Sequence, residues 1–163
     1  MLLSKTIRAA QRGFTLLEVL LVVAIIAILA GIVILAINPG KNLGDGRNSQ
    51  RAADVNTILN GVYQYSLDNG TVPPVGSRSG AVAISGTATE ICNATAVACT
   101  SLVDLNALST NGKYMVSVPK DPKCPTGCNA NGNGYTILKD ATTGRLTVNV
   151  INPENGKTIT VTK

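Results

Sequence analysis

Hydrophobic positions along this chain follow three different rules. From Phe14 to Ile37, FTLLEVLLVVAIIAILAGIVILAI, they are continuous and interrupted by one charge, Glu18. At a helical rise of 1.5 Å per residue this run reaches about 36 Å, enough to cross a hydrocarbon core of ~30 Å with some tilt. From about Gly46 to Asn69 apolar residues recur every three to four positions: Ala52, Val55, Leu59, Val62 and Ser66, flanked by Ile58 and Tyr65. That is the stripe of an amphipathic helix packed under a sheet, with Arg47, Gln50, Asn60 and Gln64 on the opposite face. From Gly134 onward the rule becomes alternation. GYTILKD (134–140), RLTVNVI (145–151) and TITVTK, separated by turn-forming residues, predict three antiparallel strands. Their inner face, with Ile137 or Leu138, Leu146, Val148, Val150, Ile159 and Val161, is expected to cover the helix. The pattern as a whole predicts an α+β chain.

The joints are marked by breakers. Asn38-Pro39-Gly40 ends the apolar run, because proline lacks a backbone donor and disfavours helix in the residue before it. With Gly44 and Gly46 it predicts a hinge over 38–45, and Asp45 is a candidate N-cap for the second helix. Asn69-Gly70 is its candidate stop. Residues 71–100 have poor periodicity, with Ala81–Ile84 as a possible short strand. Thr100 or Ser101 could cap a short helix carrying Leu102, Leu105 and Leu108. In YMVSVPKDP (114–122), two prolines enforce an extended path and Asp121 is suited to an Asx-type turn.

Charge orients the apolar run. Lys5, Arg8 and Arg12 precede it with no acid among them, which places that end on the cytoplasmic side and residues after Ile37 across the membrane. A secretory signal peptide has a shorter apolar core and a small-x-small cleavage site, which this run lacks. A plain membrane anchor leaves Glu18 unexplained, since a charge near the centre of a spanning helix costs ~2.5–3.5 kcal/mol and less towards its end. The formal net charge of the 163 residues is +5, and three of the positive side chains lie before Gly13. The remainder is too weakly basic to argue for nucleic acid, and aromatics at 3% leave no base-stacking platform. The absence of histidine excludes a Ser-His-Asp triad, a Cys-His pair and His-ligated metals.

Cys92, Cys99, Cys124 and Cys128 all follow the apolar run, on the side where thiols can oxidise. Four cysteines allow three pairings. The local ones, Cys92–Cys99 and Cys124–Cys128, are favoured, each contributing about 2–2.5 kcal/mol in the chain-entropy model. A four-thiolate zinc site is the alternative, but its first pair is spaced too widely. Asn129, Asn131 and Asn133 are spaced like ligands of a calcium loop without the carboxylates a hard cation needs. Asp121, Asp140 and Glu154 could converge in space without matching a ligand pattern. Arg78, Lys113, Lys120 and Lys123 are the scattered cations a DNA-binding role would use. No active site is visible, so the sequence indicates no enzyme, no cofactor and no metal.

One stretch carries a resemblance. K-x-x-R-x-x-x-R-G followed by FTLLEVLLVVAIIAILA resembles the N-terminus of type IV prepilins and type II secretion pseudopilins. QRAADVNTILNGVYQYSLDNGTVPP is similar to the helix and exit of many pilins, and Y-x-x-x-x-P-x-D-P (114–122) to a signature before the pilin sheet. The resemblance implies a pilin-like fold with a leader (1–13), an assembly helix (14–37), the hinge (38–45) and an extracytoplasmic globular domain (46–163). It implies cleavage between Gly13 and Phe14 by a prepilin peptidase, N-methylation at Phe14, and pairing of Glu18 with the Phe14 amine of another subunit. Pro39 is expected as the helix break. The implied role is a structural subunit of a type IV pilus-like helical filament. The alternatives are a type II secretion pseudopilin and a DNA-binding competence pilin. The implied partners are further copies of the chain, the peptidase and a membrane assembly platform, with no nucleic acid. The implied location is the bacterial cytoplasmic membrane, single-pass and N-terminus in, then an extracellular or periplasmic filament.

Overall fold

In a computed structural model of the chain, the described residues are 13–163. Residues 1–12 of the expected leader, with Lys5, Arg8 and Arg12, lie outside them. The chain divides after Gly40 into two compact units. Helix α1, Leu16–Ile37, has no buried residue. Thr15 caps it: the threonine hydroxyl accepts from the Glu18 amide at 3.2 Å. Among the described residues it is the helix long and apolar enough to cross a membrane. Asn38 closes it in the left-handed conformation, φ 43° and ψ 77°.

Helix α2 runs from Pro39 to Asn69. This corrects the expected hinge over 38–45, since the helix is broken at Asn38 alone and resumes at once. Proline fits the first helical position, where its missing donor would be unused. Asp45 is therefore inside the helix and caps nothing. The far end is as expected, with Gly70 at φ 70° following Asn69.

The sheet is a four-stranded antiparallel meander, β1 (Thr89–Cys92), β2 (Gly132–Lys139), β3 (Leu146–Val150) and β4 (Thr160–Thr162), in sequential order. Tyr135 pairs with Val150, Ile137 with Val148, and Val148 with Val161. This register puts Tyr135, Ile137, Val148 and Val150 in one core with Val55, Ile58, Leu59 and Val62 of α2. Ile137 rather than Leu138 faces inward, and Ile159 and Val161 pack at its margin.

Strand β1 is absent from the sequence reading because four residues ending at a cysteine show no alternation. Two expectations are corrected nearby. Residues 81–84 form no strand, only a bridge from Val82 to Val103. Leu102 to Leu105 are not helical, because the amide of Val103 donates to Glu90 and its carbonyl accepts from Cys92. A 3-10 helix begins at Asn106. Leu102, Leu105 and Leu108 are buried all the same. Cys92 and Cys99 are bonded to each other and wholly buried beside Leu102, and Cys124 is bonded to Cys128.

Candidate functional site

Two features carry chemistry, and each belongs to one unit. The first is the N-terminal end of α1. Gly13 and Phe14 precede the helix in non-helical backbone, both exposed. Thr15-Leu16-Leu17-Glu18 has the spacing of a capping box, and the threonine half of it is formed. Glu18 thus lies in the first turn, where unbonded amides and the helix dipole favour a negative charge. Beyond it, Leu20, Val23, Ile26, Leu29 and Ile34 are each more than half exposed, a surface that water does not favour.

The second feature lies in the globular unit. Arg51 sits on the apolar stripe of α2, in register with Val55, Ile58 and Val62, and is wholly buried. Its guanidinium makes a two-pronged contact with Asp121, Nε to Oδ2 at 2.5 Å and Nη2 to Oδ1 at 2.9 Å. Its remaining nitrogen reaches Glu154 at 2.8 Å and Asn48 at 3.0 Å. Glu154 also takes a forked contact from Arg47 at 2.6 Å per arm and one from Lys123 at 3.4 Å. Asn48 locks the loop from both sides: its amide donates to the Glu154 carbonyl and its oxygen accepts the Glu154 amide. Buried charge is tolerated here because each guanidinium donor aimed inward has an acceptor.

Asp121 forms the expected Asx-type turn, accepting from the Lys123 amide at 2.8 Å. The carboxylate thus fixes the P-x-D-P bend with its backbone turn and anchors it with Arg51. Of the three carboxylates considered for convergence, Asp121 and Glu154 do meet, on arginine. Asp140 is elsewhere, holding the 140–144 turn through Thr142 and Thr143. Arg47, assigned to the outer face, is half-buried against Glu154. Sequence reasoning missed Arg51; its signal was a charge at a stripe position.

The Glu154 carboxyl is held well below its ordinary value of 4.5, by Arg47 first and Arg51 next. Its folded value is depressed, so its contribution to stability is full above 4.5 and is lost as pH falls through the lower folded value. A pH titration followed by NMR should therefore show Glu154 still ionised at pH 4.5; an ordinary midpoint there would contradict the network.

The other candidates are accounted for by contacts. Asn129 donates to Glu90 at 2.6 Å, and Asn133 braces Pro119 and Tyr135, so these asparagines fasten a loop. The Tyr135 hydroxyl donates to Asp54 at 2.7 Å. Burial, and then that bond, pushes the phenol up; burial also raises the Asp54 carboxyl against the pull of the bond. Of the four cations a DNA-binding role would use, Arg78 is paired with Asp104, Lys113 with Asp68 and Lys123 with Glu154. Burial opposes ionisation of Asp104, but the contacts from Arg78 and the amide of Asn106 prevail and hold it low. Among the described residues no three His, Cys, Asp or Glu side chains are grouped to hold a metal ion.

The arrangement defines a fold class: an α+β chain of pilin-like architecture, with an apolar N-terminal helix in one unit and a helix packed on a four-stranded antiparallel sheet in the other. The prokaryotic N-terminal methylation motif matches residues 8–34. Type II secretion system core protein G of Vibrio cholerae is 29% identical over 138 residues, covering 85% of this chain and 77% of that protein. The proteins of the same name from Klebsiella michiganensis and Escherichia coli K12 are 35% and 36% identical. Those alignments span 45% and 42% of the relatives' lengths. No solved structure matches this chain. The motif match and the similarity to core protein G together support the type IV prepilin and pseudopilin family.

Proposed function

We propose that this chain is a pseudopilin, a filament subunit of a type II secretion system. The observation that carries this reading is the reach of the similarity to core protein G, which covers 85% of the chain and so extends well beyond the N-terminal motif that pilins share. A type IV pilus subunit, the sequence's first implication, has less support.

On this reading residues 1–13 are a leader removed between Gly13 and Phe14 by a prepilin peptidase. The new amine of Phe14 is then methylated. Helix α1 spans the cytoplasmic membrane with its N-terminus inside, and the globular domain lies across it. Assembly exchanges lipid around α1 for the α1 helices of other copies. That exchange costs little when equal apolar packing replaces lipid. Glu18 gives the exchange a register, because its charge is tolerated in an apolar filament core only opposite a cation. The Phe14 amine of a neighbouring copy supplies one.

Deleting the gene in its own host tests the choice of filament. The expected result is accumulation of exported proteins in the periplasm with surface fibres unchanged. Loss of surface fibres with secretion intact would replace the pseudopilin reading with the pilus one.

A further inference from the structure

The start of α2 is a poor helix by composition. Pro39-Gly40-Lys41-Asn42-Leu43-Gly44-Asp45-Gly46 contains three glycines in eight residues. Glycine loses more backbone entropy on becoming helical than any other residue. No stripe of large apolar residues anchors this segment either, since its one large apolar side chain, Leu43, is 62% exposed. The segment is helical nonetheless.

What holds it comes from the far end of the sequence. The turn 152–157, between β3 and β4, lies along this part of α2. Asn155 donates from its side chain to the carbonyl of Lys41 at 2.9 Å and to Asp45 at 3.2 Å. Lys157 pairs with Asp45 at 2.7 Å. Glu154 grips Arg47 and Arg51 one and two turns on. Asn155 can come this close because Gly44 has no side chain: a Cβ there would lie 2.9 Å from the Asn155 amide nitrogen. Asn155 itself sits at φ 56°, a left-handed conformation that asparagine tolerates. The glycine that reads as a hinge signal is thus also the notch that receives the turn.

We infer that Lys41–Gly46 is a conditional helix and that the 152–157 turn is its latch. With the latch seated, these residues occupy about 9 Å as helix. With it released they can extend to about 20 Å. The contour between Ile37 and Arg47 then lengthens while the core around Val55–Val62 stays packed. The latch is built of polar contacts at the surface, so it opens at less cost than the buried Arg51–Asp121 anchor that follows it. A subunit with this device can change the reach of its tether without unfolding its domain, whichever filament it enters.

Amide hydrogen exchange on the full chain in phospholipid nanodiscs tests this. Asn155→Gly removes the latching side chain and keeps the positive φ free of strain. The expected result is exchange of the Leu43–Arg47 amides about tenfold faster or more, with the Val55–Val62 amides unchanged. Gly46→Ala, at a position with open space for a Cβ, should restore slow exchange in the Asn155→Gly background, because it strengthens the helix without touching the latch. Unchanged exchange in Asn155→Gly would overturn the inference. So would an equal rise across Val55–Val62, or failure of Gly46→Ala to restore protection.

Discussion

Arg51→Met will destabilise the globular domain by about 3–5 kcal/mol, the usual cost of removing one partner from a buried ion pair. Methionine fills much of the volume and suits the apolar stripe, so the loss is electrostatic. Asp121, itself buried, would lose both of its guanidinium contacts. A domain of this size has only ~5–15 kcal/mol of stability in total. Urea unfolding followed by tyrosine fluorescence should show the midpoint fall steeply. Arg47→Met is the control: its side chain is about a third exposed and water can replace it, so its midpoint should move much less. Equal shifts in the two variants would mean that burial of Arg51 is not what matters.

Glu18→Ala should leave the chain inserted and cut but keep it out of filaments. Intact mass of the unreduced protein from its own cells reads the first part. The wild-type mass should correspond to a chain starting at methylated Phe14 and lacking four thiol hydrogens, and Glu18→Ala should change it only by the substitution. Sheared or sedimented filament fractions read the second part, with the variant absent or nearly so. Removing one carboxylate from an exposed apolar helix makes that helix a better lipid partner, so loss of assembly could not be assigned to poor anchoring. Normal incorporation of the variant would end the idea that Glu18 sets register. An uncut wild-type chain in cells with an active prepilin peptidase would remove the filament reading altogether.

The parts of the fold written as period were legible in the sequence. The apolar run of α1, the stripe of α2 and the alternation of β2 to β4 each repeat a simple rule, and each element formed where its rule applied. Elements made by partners were not legible. Strand β1 exists because Gly132–Lys139 offers it an edge, and Leu102–Leu105 avoid a helix because β1 in turn takes the backbone of Val103. Helix α2 begins seven residues before Gly46 because a turn more than a hundred residues later supports it. At the site the limit was similar. Asp121 was legible as a turn residue from its prolines, but its pairing with Arg51 was not, because no local rule joins positions 70 residues apart. Arg51 could have been suspected from its place in the stripe, although long cations often lie along apolar faces with their heads in water.

The contacts of Glu154 close the globular unit almost end to end, joining Arg47 to a residue 107 positions later. Synthesis runs from the N-terminus, so helix α2 emerges long before its partners exist. Until Glu154 and its neighbours follow, Arg51 has at most one of its two carboxylates and the first turns of α2 lack the contacts of Asn155 and Lys157. The meander of β2, β3 and β4 is made of neighbours and can form quickly, but the domain becomes complete only as its last residues arrive. A nascent chain halted just after β3, at residue 151, therefore carries a helix and most of a sheet without the closure that makes them one structure. Proteolysis of ribosome-bound chains of increasing length should show resistance appearing as one late step.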